Sequence, residues 1–245
     1  MEWQAVMSTF VKIKPFLLDL FFPIECLGCG GENKWLCQRC QEKIKLKAID
    51  ECLVCKETTG LGKTHEPCRT KTFLDGVMVA AAWEDKLLQG AIHKYKYNFV
   101  TGLAEPLTDI LIKKMNEPER VRLFEKRKII LVPVPLHKKR LNWRGFNQAE
   151  LLTKKISSHF GWGIQPMLLL RQRYTKPQVK LKKEKRAQNI QGAFGIKPGQ
   201  PETIKDALVI LVDDVLTTGA TMNECAKILK ENGIKEVWGL ALARG

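Results

Sequence analysis

Near the C-terminal end, the string VILVDDVLTTGAT, Val209 to Thr221, brings together groups able to hold a phosphate and a sugar side by side. The continuous apolar run Ala207–Val212 suits a buried parallel strand. Two adjacent carboxylates follow it, Asp213 and Asp214, at the right reach to accept hydrogen bonds from vicinal sugar hydroxyls. Thr217, Thr218, Gly219, Ala220 and Thr221 then supply hydroxyls and backbone N–H groups where a helix begins, a place where unpaired donors and the helix dipole favour a phosphate. Gly219 allows the backbone to come close to the bound group. In an open α/β sheet, ligands sit at the carboxyl ends of the strands, which is where this loop falls.

A second chemistry is carried by sulfur. Seven of the eight cysteines lie between Cys26 and Cys68, in a segment too short and polar to bury much apolar surface of its own. Cys26-x2-Cys29 and Cys37-x2-Cys40 can present four thiolates to one tetrahedral Zn2+, and Cys52-x2-Cys55 with His65-x2-Cys68 offers three thiolates and an imidazole at comparable spacing. Sequential and crossed pairing are both compatible with these spacings. Closed four-ligand sites are structural, so the metal would fold the segment. The opening MEWQAVMSTF has neither a basic n-region nor a small-residue cleavage site, which predicts no export, and clustered thiols in a reducing compartment bind metal more often than they pair. Cys225 stands alone on an apolar helix face and reads as a core residue.

The elements that must position these groups alternate. Residues 3–21 have near-helical apolar spacing, which suits a helix that packs on the rest of the protein or docks on a membrane surface or partner. Beyond the cysteines, Phe73–Trp83 reads as a strand or strand pair, Glu84–Tyr97 and Thr101–Met115 as helices, and Glu117–Lys128 as a charged continuation or loop. Ile129 opens a β-rich run ending in prolines, Asn147–Phe160 is helical, Met167–Leu170 is a short strand, Met222–Asn232 a helix and Val237–Ala243 a last strand. Strands alternating with helices predict an α/β fold with a mostly parallel sheet covered on both faces. No internal repeat is visible.

Composition sets the outer bounds. At 245 residues, 44% hydrophobic and 27% charged, the chain is globular, and its apolar stretch at Phe16–Phe22 is too short to span a bilayer. Lys and Arg number 41 against 26 acids, a formal charge of +15, which favours polyanionic partners such as nucleic acid, phosphorylated metabolites or anionic lipid. Much of that excess is local: Arg171–Arg186 holds eight cations against Glu184 alone. Trp35, Trp143 and Tyr174, aromatics able to stack on bases, are scattered along the sequence.

The string at 209–221 resembles the signature of type I phosphoribosyltransferases, which bind 5-phosphoribosyl-1-pyrophosphate (PRPP). The resemblance implies that Asp213 and Asp214 hold the ribose hydroxyls and Thr217 to Thr221 the 5-phosphate. It also implies that LVPVPLHKKR, with Val134, Pro135 and Arg140, holds pyrophosphate, and that the basic stretch 171–186 is a loop closing over the site. Displacing pyrophosphate passes through an oxocarbenium-like state, which Mg2+ and basic side chains stabilise while closure excludes water.

Taken together, FFPIECLGCG, the Cys-x2-Cys block, RGFNQAELL and VDDVLTTGAT resemble the ComF competence family over nearly the whole chain, as does the order of Thr175, Gln178, Leu181, Arg186, Asn189, Gly192, Ala193 and Phe194. One departure is His65-x2-Cys68, where many relatives carry another Cys-x2-Cys; Lys71 follows. The resemblance implies an N-terminal helix and zinc-binding finger over 1–71 and a phosphoribosyltransferase-like domain over 72–245, with Arg186 joining the two aspartates in catalysis. It implies a cytoplasmic protein, reaching to the inner face of the membrane, that binds single-stranded DNA during natural transformation. Its partners would be PRPP, that DNA and other DNA-uptake proteins. The competing readings are a metabolic enzyme joining a nucleobase-like acceptor to PRPP, and a non-catalytic PRPP-sensing or DNA-binding module.

Overall fold

The structure is a computed structural model that describes residues 23–175, 188–198 and 204–245. The expected N-terminal helix over 3–21, Arg186, and most of the basic stretch before it lie outside the described residues. The chain divides into two compact units, Met1–Lys43 and Ile44–Gly245.

In the first unit, Cys26 opens a tight turn in which its N–H donates to the Gly31 carbonyl and its own carbonyl accepts from Gly30. Cys37 starts the one-turn helix α1, Gln38–Gln41, whose only buried residue is Cys40.

Among the described residues, the second unit is organised by seven strands: β1 Gly76–Ala82, β2 Ile129–Pro133, β3 Gly163–Ile164, β4 Leu169–Arg171, β5 Phe194–Ile196, β6 Leu208–Leu216 and β7 Glu236–Arg244. Five form a wholly parallel sheet in the order β1-β7-β6-β2-β3, while β4 and β5 pair antiparallel beside it. Residues 208–212 of β6 are all buried, as a continuous apolar run demands of a central parallel strand. Pairing of Asp213 with Ala241 and Val215 with Ala243 carries β6 through both aspartates to Leu216, four residues past the expected apolar end.

The helices are α2 Lys86–Tyr97, α3 Ala104–Met115, α4 Pro118–Phe124, α5 Lys138–Arg144, α6 Gln148–Phe160 and α7 Ala220–Glu231. The Asp85 carboxylate caps α2 by accepting from the Leu88 N–H at 3.0 Å, and the Asn147 side chain caps α6 by accepting from Ala149. On one face of the sheet, Met222, Cys225, Ala226 and Leu229 of α7 join Val77, Val79, Val209, Leu211 and Val237 in the core, so Cys225 is the packing residue the sequence predicts. On the other, α3 and α6 pack together against the sheet and bury Leu107, Leu111, Leu152 and Ile156.

The charged segment at 117–128 forms helix α4 instead of a continuation or loop. Pro118 starts it, and the fully buried Arg120 donates to Glu117 and Asp50, while the equally buried Lys114 donates to Glu117 and to the Lys47 carbonyl. Such charges are tolerated inside only because each is paired and hydrogen-bonded. Among the described residues, no helix is long and apolar enough to cross a membrane.

Candidate functional site

The carboxyl ends of β2 and β6 open into a cleft of about 980 Å³. Asp214, on its floor, is 5% exposed; one of its oxygens accepts from the Val215 N–H at 2.7 Å and lies 2.8 Å from the Lys96 ammonium of α2. Asp213, half-buried, accepts from the Asp214 N–H at 2.8 Å. Burial, and then the adjoining Asp214 carboxylate, push Asp213 up to about 8, against the pull of Lys96. Lys96 is a site residue that sequence reasoning missed, since only its place in the last turn of a helix is visible there.

The raised Asp213 has a consequence for the ligand-free protein. Its folded state holds the proton more tightly than the unfolded chain, so this group's contribution to stability falls as pH rises from about 4 to about 8 and stays lost above. Asp213→Asn removes that loss. The variant should melt above wild type at pH 8–9 and with it near pH 4; equal melting across the range would show that Asp213 ionises normally.

After β6 the chain turns through Thr217 and Thr218 into α7. Gly219 sits at φ +81, ψ −3, at the N-cap, and its carbonyl accepts the Asn223 N–H at 2.8 Å. A Cβ at this position would stand 2.9 Å from Cδ1 of Leu53, so both the left-handed backbone and the close approach require glycine. The Asn223 side-chain oxygen, one turn into α7, accepts from the Thr72 hydroxyl and the Phe73 N–H, each at 2.7 Å.

The facing wall carries cations. Val134 donates its N–H to the Val212 carbonyl, which places Val134 and Pro135 directly beside the aspartates, and the Val134 carbonyl accepts from the Asn147 side chain at 3.1 Å. The segment expected as a loop after Pro135 closes into α5, capped by His137, whose Nδ1 accepts the Lys139 N–H. Arg140 of α5 donates to the Thr175 carbonyl at 3.1 Å. The RGFNQ string is the joint between two helices. Gly145 ends α5 at φ +77, Phe146 packs on Tyr95, Asn147 caps α6, and the Gln148 side-chain oxygen accepts from Arg144 at 2.9 Å. Arg171 on β4 completes the wall; burial pulls its guanidinium down to about 10, still a cation at neutral pH. Nε of Arg144, Nε2 of Gln148 and Nε of Arg171 are buried donors without an acceptor among the described residues, and all three residues line the cleft. Thus Val134, Pro135, Arg140, Asp213, Asp214, Thr217, Gly219 and Thr221 surround one cavity. Thr218 and Ala220 complete the turn between them, Ala220 donating its N–H to the Thr218 hydroxyl at 3.4 Å.

The thiols gather into two groups. The sulfurs of Cys26, Cys29, Cys37 and Cys40 all lie within 4.8 Å of one another, as do those of Cys52, Cys55 and Cys68. A Zn–S bond of about 2.3 Å sets tetrahedral sulfurs about 3.8 Å apart, and Cys29 and Cys37 stand at 3.8 Å. His65 reaches the second group through Nδ1, 3.3 Å from the Cys55 sulfur. Both pairings are therefore sequential.

The two groups share one construction. Cys52 donates to the Glu57 carbonyl and accepts from Lys56, repeating the bonds of Cys26 with Gly31 and Gly30, and Lys56 at φ 72 takes the left-handed position of Gly30 at φ 71. Burial alone would raise the Cys26 thiol, but N–H groups of Cys37, Gly28 and Cys29 pull it down to about 6. Cys52, bonded by the N–H groups of His65, Cys55 and Val54 against the same effect, falls to about 7. Burial pushes Cys40 up to about 12 and Cys68 to about 11. Thiols this close ionise together only around a cation, so both groups can hold a metal ion.

Comparison with known proteins agrees with this geometry. The phosphoribosyl transferase domain family matches residues 148–244. The chain is similar to Competence protein F of Haemophilus influenzae, 30% identical over 236 residues, which covers 91% of this chain and 99% of that one. It is also similar to DNA utilization protein YhgH of Escherichia coli, 29% identical over 224 residues and covering 84% and 96% of the two chains. Competence protein ComFC of Bacillus subtilis is 35% identical over 114 residues, 46% of this chain and 42% of its own. The parallel α/β sheet with its phosphoribosyltransferase domain and metal-competent cysteine group is the expected fold class.

Proposed function

Because this chain belongs to the ComF family of competence proteins, we propose that it binds PRPP in the cleft and supports DNA uptake in natural transformation by binding single-stranded DNA in the cytoplasm. The observation that carries the PRPP reading is the asymmetry of the cleft. Arg144, Gln148 and Arg171, each with a buried donor lacking an acceptor among the described residues, line the same cleft as a pair of carboxylates and the start of α7. PRPP matches both sides, with phosphate oxygens as acceptors and ribose hydroxyls as donors.

Asp213 and Asp214 would take the 2- and 3-hydroxyls, the turn Thr217–Thr221 the 5-phosphate, and Val134, Pro135, Arg140 and Arg171 the pyrophosphate. When C1 loses pyrophosphate, negative charge grows on the leaving group, where fixed guanidinium donors stabilise it more than in the ground state. Mg2+ bound with PRPP would neutralise part of the same charge. Arg186 is proposed to act with the aspartates. The metabolic alternative differs in its product: pyrophosphate release that depends on a free purine or pyrimidine, with no effect of DNA, would favour it.

The basic excess supports the DNA reading, and single-strand affinity should fall with salt by about 0.7 log units per log unit for each phosphate neutralised. Absence of single-strand binding at low salt would remove that part of the function. For the metal we propose structural Zn2+ in both cysteine groups, Cys26, Cys29, Cys37 and Cys40 in one and Cys52, Cys55, His65 and Cys68 in the other. Atomic emission should then find one zinc for each group; iron in place of zinc, or neither metal, would contradict it.

A further inference from the structure

One side of the cleft mouth carries groups beyond those that PRPP would take. Helix α5, Lys138–Arg144, buries none of its residues and holds Lys138, Lys139, Arg140 and Arg144 with no acid among its seven positions. An aromatic group flanks each end. Beside its C-terminal turn, Trp143 is 59% exposed and meets Phe99 edge-on at 5.2 Å, while the Arg144 guanidinium lies 5.4 Å from the Tyr97 ring centre. Phe99 is held at φ 58, a conformation costly for an aromatic residue. Beside the N-terminal turn, Tyr174 is 47% exposed, with Lys139 at 5.5 Å, Arg140 at 5.9 Å and His137 edge-on at 5.3 Å.

Exposed rings gathered this way mark a contact surface, and its charge identifies the partner. A protein partner of ordinary charge would leave the exposed Lys138 and Lys139 of α5 without acids. A duplex would satisfy the cations but keeps its bases stacked inside, out of reach of the rings. A single strand offers both a phosphate for each cation and a free base face for each ring.

We propose that single-stranded DNA runs along α5 at the rim of the PRPP cleft, its bases stacking on Trp143 and Tyr174 and its phosphates paired with Lys138 and Lys139. This rests on the DNA reading above and adds where and how the strand is held. Trp143 and Tyr174, scattered in sequence, are brought with Tyr97 to one cleft wall by the fold.

The test is fluorescence anisotropy of a labelled oligothymidine across a salt series, with circular dichroism melting as the folding control. Trp143→Ala and Tyr174→Ala should each weaken binding roughly 5- to 150-fold without changing the salt slope. Lys138→Ala with Lys139→Ala should lower the slope by about 1.4 while sparing the stacking contribution. If wild type binds the oligonucleotide and all these folded variants bind equally well, the surface is elsewhere and this proposal fails while the DNA reading stands. If wild type does not bind at low salt, both fail. Duplex binding as tight as single-strand binding would rule out stacking.

Discussion

Asp213→Ala combined with Asp214→Ala is expected to abolish Mg-PRPP binding while leaving the protein folded. Hydrogen bonds to charged groups contribute about 1.5–3 kcal/mol each, so losing both carboxylates from the ribose hydroxyls should weaken affinity by roughly 10²- to 10⁴-fold. The fold should survive because the apolar core does not include either side chain. Asp213 is a carboxyl whose charge burial disfavours, and Asp214 accepts from the adjoining Val215 N–H and pairs with Lys96 of α2. Lys96 is 19% exposed and can turn to water when its partner is lost. Calorimetry showing unchanged PRPP affinity in a variant with a wild-type melting curve would disprove the ribose assignment.

The second large effect links the cysteine group at 52–68 to the phosphate turn. Leu53, between two of its thiols, packs where a Cβ of Gly219 would lie, and the Leu53 carbonyl accepts from Arg244 at 3.0 Å. On the far side of the group, Thr72 and Phe73 bond Asn223 in the first turn of α7. The N-terminal turn of α7 is thus gripped from two sides by the segment that the thiols hold. Cys52→Ser, which removes a fully buried thiol of the group, should abolish zinc binding there, lower the melting temperature and weaken PRPP binding at least about 10-fold. Leu53→Ala should keep the metal and show a smaller loss of PRPP affinity, because only the contact with the turn is removed. Full PRPP affinity in a Cys52→Ser protein shown to have lost its metal would mean that the turn holds its shape without this support.

Much of the site could be read from residues alone, and the reason is locality. The strand, the two aspartates, the turn and helix α7 follow one another without interruption, so a period-2 to period-3.6 change and one glycine describe them. The sulfur spacings point in the same way to clustered thiols, but which cysteines share a group needed the coordinates. RGFNQ was visible as a string, whereas its work, ending one helix at Gly145 and capping the next at Asn147, needed the coordinates.

What stayed hidden depends on packing between distant segments. Nothing near Lys96 points to Asp214, and nothing near Leu53 points to Gly219. Helix α4 was masked by its own charge, because Arg120 looks solvated until Asp50 and Glu117 are seen to pair with it in the interior. Nothing in LVPVPLHKKR announces a helix, yet His137 caps one there, and that helix carries the exposed cations and Trp143 to the cleft mouth. The basic excess met first as a composition is in this way partly a wall of the cleft and partly its rim.

The position of bound PRPP tests the assigned cleft most directly. A crystal structure of the protein with Mg-PRPP should show the 5-phosphate in the Thr217–Thr221 turn, the ribose hydroxyls on Asp213 and Asp214, and the pyrophosphate against Val134, Pro135, Arg140 and Arg171. PRPP bound away from the two aspartates, or a cleft left empty at saturating Mg-PRPP, would contradict it.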